Sequence, residues 1–267
     1  MSEKEGSFVV VTRGRTGSTA LASMLDAISQ VRCWDELLAT YCTWDDIPSR
    51  PFGKPLSQDK VCLAYHHYSD SMSVESYGAK LRESVGTQQT TIGFKALPHQ
   101  LDEWPAFHSF IRGSFDIIFL TRDPACSAVS AHYALQTKTW NYYNKSKGDY
   151  LSLLAERQAS SITLDADEVV REAGYARDWQ TDFSKEIGTY AKRGRRVLHV
   201  NYEDIFSEHS DSTPSILKLK EYFGVHSILQ TSNVRRILVD RPSQIENMPE
   251  IVAKLQAAGF ETNLLKG

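Results

Sequence analysis

The stretch Phe8-Val-Val-Val-Thr-Arg-Gly-Arg-Thr-Gly-Ser-Thr19 places an apolar run directly before a turn rich in glycine and hydroxyl side chains. Its first part, Phe8–Thr12, is rich in β-branched residues and predicts a buried strand. Residues 13–18 predict a loop, and the apolar spacing of Thr19–Leu25 predicts a helix. A strand that leads through a short loop into a helix is typical of βαβ units. The sequence therefore predicts an α/β fold whose central, mostly parallel sheet is flanked by helices on both faces.

Further strands and helices follow along the chain. Short apolar runs predict strands at Thr91–Phe94, Phe115–Thr121 and Arg196–Asn201. One helix is predicted to begin at Asp123-Pro124 and another at Ser212-Thr-Pro214. Most of residues 145–193 are predicted to be helical, and the last predicted helix is Pro249–Ala258. Proline suits the first helical turn, and Gly259 is placed to cap the last helix. The helix after Pro214 is predicted to bury Ile216, Leu217, Leu219 and Phe223.

The composition is that of an ordinary globular protein, with 41% hydrophobic and 24% charged residues in a chain of 267. A net charge of −3 argues against a general attraction to nucleic acid, so an anion site must be built locally. We find no internal repeat or long linker, which predicts a single domain over residues 1–267. No transmembrane segment or secretory signal is apparent, and a cytoplasmic location is expected. The cysteines, Cys33, Cys42, Cys62 and Cys126, lack zinc-finger spacing and are expected to be reduced thiols.

The loop after the first strand gathers the groups that bind an anion. Gly14 and Gly17 allow a tight turn that brings backbone N–H groups together, and the helix N-terminus adds partial positive charge. The predicted anion site comprises Arg13, Gly14, Arg15, Thr16, Gly17, Ser18 and Thr19. The alternative is an ordinary turn with two solvated arginines. The loop is not a Walker A motif, because the lysine of GxxxxGK[ST] is missing, and this argues against an ATPase or kinase.

Arg15-Thr-Gly-Ser-Thr19 resembles the 5′-phosphosulfate loop, [RK]-[ST]-G-[ST]-[ST], of sulfotransferases that use 3′-phosphoadenosine 5′-phosphosulfate (PAPS). The match is best with the bacterial trehalose-type and nodulation-type carbohydrate enzymes. A second match is Arg122 at a predicted strand end with Ser130 eight positions later, the pair with which this family holds the donor's 3′-phosphate. Three later stretches, Ala134–Trp140, Val197–Asp204 and Arg241–Asn247, also resemble the family. The resemblance implies a P-loop-like sulfotransferase fold with PAPS across the strand ends.

The resemblance also implies the roles of these residues. Arg15 contacts the 5′-phosphosulfate and stabilises the leaving group as a catalytic residue. Arg122 and Ser130 bind the 3′-phosphate, whereas the alternative for Arg122 is a surface salt bridge to Asp123. Tyr202 is expected to contact the donor or acceptor, with packing as an equal alternative. No metal ion is expected.

Transfer of a sulfuryl group to a hydroxyl needs a base on the attacking oxygen. Glu36 occupies the place of the glutamate base in the carbohydrate branch of the family, with Asp35 as the adjacent competitor. Another branch uses histidine, for which His66, His67, His99 and His132 are the candidates. The resemblance therefore implies a carboxylate base at Glu36.

The expected activity is transfer from PAPS to a hydroxyl of a small-molecule, carbohydrate or glycolipid acceptor, releasing adenosine 3′,5′-bisphosphate. Lys95 and Trp140 are candidate acceptor-binding residues, and aromatic residues within 40–75 and 140–180 suit sugar stacking or plain packing. The resemblance is compatible with a homodimer. Two alternatives stay open: a silent module that binds PAPS or adenosine bisphosphate, and a P-loop kinase.

Overall fold

The computed structural model describes residues 6–36, 91–98, 115–137, 161–192, 194–206, 212–228 and 244–265. The chain divides into two compact units. One consists of Met1–Thr121 with Ser184–Ser232, and the other of Arg122–Phe183 with Asn233–Gly267. Whether residues 1–267 act as a single domain stays a prediction. In the described part of the chain, no helix is long and apolar enough to cross a membrane.

Within the described residues, the first unit contains a five-stranded sheet in the order β2-β3-β1-β4-β5. Its strands are β1 (Gly6–Val11), β2 (Val31–Glu36), β3 (Thr91–Ala96), β4 (Asp116–Thr121) and β5 (Val197–Asn201). Every neighbouring pair is parallel. The structure thus confirms the predicted α/β class and parallel central sheet. Strands were predicted at four of these five places, and β2 was not predicted.

The helices are α1 (Ser18–Asp26), α2 (Pro124–Thr137), α3 (Ala166–Ala191), α4 (Tyr202–Ile205), α5 (Pro214–Phe223) and α6 (Met248–Ala257). A short 3₁₀ turn follows at Asn263–Leu265. The predicted helix starts at Pro124 and Pro214 are confirmed, and Gly259 has the left-handed φ of 79° that suits a residue just past a helix end. In the first unit α1 packs against β2 and β3, and α5 packs against β5.

One predicted core residue of α5 is wrong. Ile216, Leu219 and Phe223 are buried, but Leu217 is 51% exposed. The buried residues recur at intervals of three and four, which places them on one face of the helix. Leu217 follows Ile216 directly and therefore lies about 100° further round the helix.

The burial of β1 follows from its place in the sheet. Phe8 to Val11 are all buried, as expected for a strand with parallel neighbours on both sides. Phe8 pairs with Gly93 of β3, and a Cβ at Gly93 would lie 2.3 Å from the Phe8 ring. The absent side chain at Gly93 therefore makes room for Phe8 in the core.

The second unit has its own apolar core, contributed by α2, the first half of α3 and the C-terminal segment. The buried cluster includes Ala125 and Val129 of α2, Val169 and Ala173 of α3, and Ile251 of α6. These helices consequently share one packed interior.

The strand order creates a switch point between β1 and β4. The connections that follow these two strands run in opposite directions across the sheet. The one after β1 leads to β2 at one edge, and the one after β4 leads to β5 at the other. Ligands of open parallel sheets bind at the carboxyl ends of strands at such a point. The topology therefore directs attention to the residues after Val11 and Thr121.

Candidate functional site

The turn between β1 and α1 is compact and held by hydroxyl groups. The Thr12 hydroxyl donates to the carbonyl of Leu120 at 2.8 Å, which ties the end of β1 to the end of β4. The Thr16 hydroxyl donates to the carbonyl of Arg13 at 2.8 Å and closes the turn on itself. Both threonine side chains are buried. Thr16, a predicted donor-binding residue, thus has a shaping role in this turn.

Arg15 adopts a left-handed backbone with φ of 65°. This conformation is uncommon for a residue with a side chain and costs of order 1–3 kcal/mol. Gly17 two residues later has φ of 79°. Alternation of this kind turns successive N–H groups toward one side, as in known anion-binding nests. Strain at a predicted binding residue supports a functional reason for the turn.

Within the described residues, no side chain caps the N-terminus of α1. Gly17 is the N-cap and supplies no side-chain hydrogen bond, and the first turn has no acidic residue. The first bond of the helix runs from the N–H of Leu21 to the carbonyl of Gly17 at 3.1 Å. The N–H groups before Leu21 therefore have no acceptor within the helix itself. A helix end of this kind carries partial positive charge and binds phosphate or sulfate groups well.

Lys95 adds a charged group to this helix end. It lies at the carboxyl end of β3 and is only 3% exposed, and its Nζ donates to Oγ1 of Thr19 at 3.0 Å. An ammonium group beside the positive end of α1 strengthens the local positive potential. The sequence pointed to Lys95 as an acceptor-binding residue, whereas its contact with Thr19 was not predicted. The two residues are 76 positions apart.

Glu36 lies opposite Lys95 in the sheet. The pairing of β2 with β3 shifts between Trp34 and Glu36, and after this shift Glu36 is the register partner of Lys95. Such bulges often lie beside active sites. The predicted base is therefore at the same sheet edge as the turn and Lys95. The side chains of Asp35 and Glu36 lie outside the described set.

The position of β2 depends on a buried ion pair. Arg32 lies 3.3 Å from the carboxylate of Asp26 at the end of α1, and the other oxygen of Asp26 accepts from the N–H of Cys33 at 2.9 Å. The guanidinium also lies 5.8 Å from the centre of the Trp34 ring. These contacts explain how Arg32 is buried together with Val31, Cys33 and Trp34.

Tyr202 packs behind the turn. Its side chain is buried, its ring centre lies 4.6 Å from that of Phe206, and a Cβ at Gly17 would lie 2.2 Å from its Cε2 atom. The structure thus shows a packing role for Tyr202, and its contact with a donor or acceptor stays a prediction.

In the second unit, Arg122 and Ser130 are both buried, with 5% and 3% exposure. Arg122 directly follows β4, and Ser130 lies in the second turn of α2. Asp123 accepts a hydrogen bond from the N–H of Cys126 at 2.7 Å and so caps α2. The burial of Arg122 corrects only the surface placement in the alternative, and a salt bridge between Arg122 and Asp123 stays an alternative. Burial of two polar residues at the predicted spacing supports a site.

The remaining predicted residues are placed as follows. Arg13 and Arg15 are half-buried, Gly14 is exposed, and Ser18 is buried at the start of α1. His132 is half-buried on α2. Trp140, His66, His67 and His99 lie outside the described residues.

The fold is that of an α/β protein with a turn rich in glycine and hydroxyl side chains at the switch point of its sheet. No protein-family model matches the chain, and no curated protein matches it. Among solved structures, it is similar to a sulfotransferase from Alicyclobacillus acidocaldarius, with 13% identity, a TM-score of 0.48, and coverage of 98% of this chain and 99% of that one. It is also similar to the sulfotransferase domain of the Synechococcus PCC 7002 olefin synthase, with 16% identity, a TM-score of 0.47, and coverage of 98% and 92%. Likeness at this level assigns no activity or residue role to this chain.

Proposed function

We propose that this protein is a sulfotransferase that moves a sulfuryl group from PAPS to a hydroxyl of a small-molecule or carbohydrate-like acceptor. The observation that carries the proposal is the N-terminus of α1, which no described side chain caps, with the strained Arg15 before it and the buried Lys95 ammonium 3.0 Å from Thr19. This arrangement suits a group with several negative oxygens. The motif of residues 15–19 and the Arg122–Ser130 pair favour a phosphosulfate donor with a second phosphate.

In the proposed reaction, the acceptor hydroxyl oxygen attacks the sulfur of the donor. A new S–O bond forms while the bond between sulfur and the bridging phosphate oxygen breaks. The carboxylate of Glu36 takes the hydroxyl proton, and the electron pair of the broken bond leaves with adenosine 3′,5′-bisphosphate. No metal ion takes part in the proposal.

Arg15, Lys95 and the N–H groups of α1 stabilise the charge that develops on the leaving phosphate. Their charges are in place before the reaction begins, so little reorganisation is needed as the bond breaks. Arg122 and Ser130 hold the 3′-phosphate, for which the planar guanidinium suits a two-pronged contact.

Calorimetric titration with adenosine 3′,5′-bisphosphate, with ATP as the comparison ligand, tests the donor site. Tight binding of the bisphosphate and weak binding of ATP are expected. Arg15→Ala and Arg122→Ala should each raise the bisphosphate Kd by roughly tenfold to a hundredfold, the size of one lost charge-assisted contact. Arg171→Ala is the matched control, because Arg171 is an exposed arginine paired with Glu168 on α3. A folded protein that binds no bisphosphate refutes the donor assignment.

Turnover separates the enzyme from a silent binding module. With an acceptor found by screening, Glu36→Gln should lose transfer and keep the bisphosphate Kd of the wild type. Equal turnover in this variant would remove Glu36 as the base. Wild-type protein that binds PAPS but releases no bisphosphate with any hydroxyl acceptor would favour the silent module, and Mg²⁺-dependent transfer from ATP would favour a kinase.

A further inference from the structure

One face of α3 is an apolar stripe with a single amide in it. Its buried residues recur at intervals of three and four, except for one interval of seven between Ala176 and Phe183: Ala166, Val169, Ala173, Ala176, Phe183, Ile187 and Tyr190. Gln180 lies four residues after Ala176 and three before Phe183, so it occupies the next position of the same stripe. An amide at such a position is costly unless it has a hydrogen-bond partner.

This amide donates a hydrogen bond to the backbone of Arg122. Gln180 Nε2 donates to the carbonyl oxygen of Arg122 at 2.8 Å across 58 positions of sequence. The next residue, Asp123, is held by its capping bonds to α2, in which its side chain accepts from Cys126 at 2.7 Å and its carbonyl from Ser127 at 2.9 Å. Together these bonds hold the backbone on the carboxyl side of the Arg122 Cα.

The same unit positions Ser130 relative to α3. The buried cluster joins Ala125 and Val129 of α2 to Val169 and Ala173 of α3. Ser130 follows Val129 directly and is buried. The Gln180 bond therefore adds a polar contact to the unit in which α2 and the first half of α3 share a buried cluster.

We propose that Gln180 is a positioning residue for the 3′-phosphate of the nucleotide, acting through the Arg122 backbone. This inference rests on the proposed function, because it assigns Gln180 to the site that Arg122 and Ser130 form. A guanidinium can grip a phosphate with two parallel bonds only from a defined backbone position. Loss of the amide donor should therefore weaken recognition of the 3′-phosphate specifically.

The test compares two ligands that differ only in that group, adenosine 3′,5′-bisphosphate and adenosine 5′-monophosphate. Gln180→Met keeps the length of the side chain and loses the donor. It should raise the bisphosphate Kd roughly tenfold, the size of one misplaced charge-assisted contact, and leave the monophosphate Kd unchanged. Gln180→Lys keeps a donor of similar reach and should keep the wild-type ratio of the two Kd values.

Gln256→Met is the control, since it removes another glutamine bond in the same unit, from Gln256 Nε2 to Thr262 Oγ1 at 2.9 Å. It should leave the ratio unchanged. The ratio is the monophosphate Kd divided by the bisphosphate Kd. The inference is overturned, while the proposed function stands, if this ratio is unchanged in Gln180→Met or if it falls in Gln180→Lys as far as in Arg122→Ala. Wild-type protein with no preference for the bisphosphate overturns the proposed function itself, and the inference with it.

Discussion

Alanine at position 17 would place a methyl group 2.2 Å from Cε2 and 2.4 Å from Cδ2 of Tyr202, at a backbone with φ of 79°. The left-handed backbone alone costs an alanine about 1–2 kcal/mol. The ring of Tyr202 is buried against Phe206, so it cannot move aside freely, and overpacking of this kind costs about 1–3 kcal/mol more. Gly17→Ala should therefore lower the free energy of unfolding by roughly 2–5 kcal/mol.

Gly224→Ala is the matched control for this prediction. Gly224 has a similar φ of 65°, but no atom of the described residues lies within 4 Å of the position that a Cβ would take there. Its alanine variant should lose only the backbone cost of about 1–2 kcal/mol. Gly14→Ala has neither feature and should be close to neutral. Urea denaturation followed by tryptophan fluorescence and by circular dichroism measures all three on one scale.

The refuting result is a Gly17→Ala variant that is no less stable than Gly224→Ala. A double-mutant cycle with Tyr202→Ala identifies the cause. If the ring is the obstacle, the alanine at position 17 should cost at least about 1 kcal/mol less when the ring is absent. Bisphosphate titration of folded Gly17→Ala then shows whether the shape of the turn controls anion affinity.

The remaining predictions concern the sheet, pH dependence and donor binding. Gly93→Ala should destabilise the protein by about 1–3 kcal/mol, because its methyl group would meet the buried Phe8 ring, and denaturation at the wild-type midpoint would refute this. The backbone N–H of Glu168 holds the pKa of Asp165 below its usual value, so this carboxylate stabilises the fold at neutral pH and the contribution is lost as pH falls through the folded pKa. The free energy of unfolding of Asp165→Asn should accordingly fall less than that of the wild type between neutral and acidic pH. An equal fall in the two proteins would contradict this prediction. Lys95→Met should weaken bisphosphate binding in titration, with the salt dependence of Kd reduced as well, and an unchanged Kd would exclude the ammonium from the site.

Local chemistry made much of the fold predictable. The strands at Phe8 and Phe115 are continuous apolar runs, which parallel sheets require because both faces are covered. Proline at the starts of α2 and α5 and glycine after α6 are likewise local signals, since they depend on the backbone preferences of single residues. The loop of residues 13–18 was predicted for the same reason.

Two errors show what local sequence patterns do not predict. The strand β2 was not predicted, because Arg32 breaks its apolar run, and its ion pair with Asp26 at the end of the preceding helix forms only in the folded chain. Leu217 was placed in the core on hydrophobicity, whereas the helix phase set by Ile216 and Leu219 turns it outward.

The sequence by itself determined the α/β class, the turn between β1 and α1 and the spacing of Arg122 and Ser130, because each depends on residues close together in the chain. The tertiary structure alone decided which distant groups join them. Lys95 meets Thr19, Tyr202 packs on Gly17 and Gln180 holds Arg122 only after strands and helices far apart in sequence have packed. Such contacts depend on strand order and helix phase, which arise from the burial of the whole core and from no single stretch of sequence.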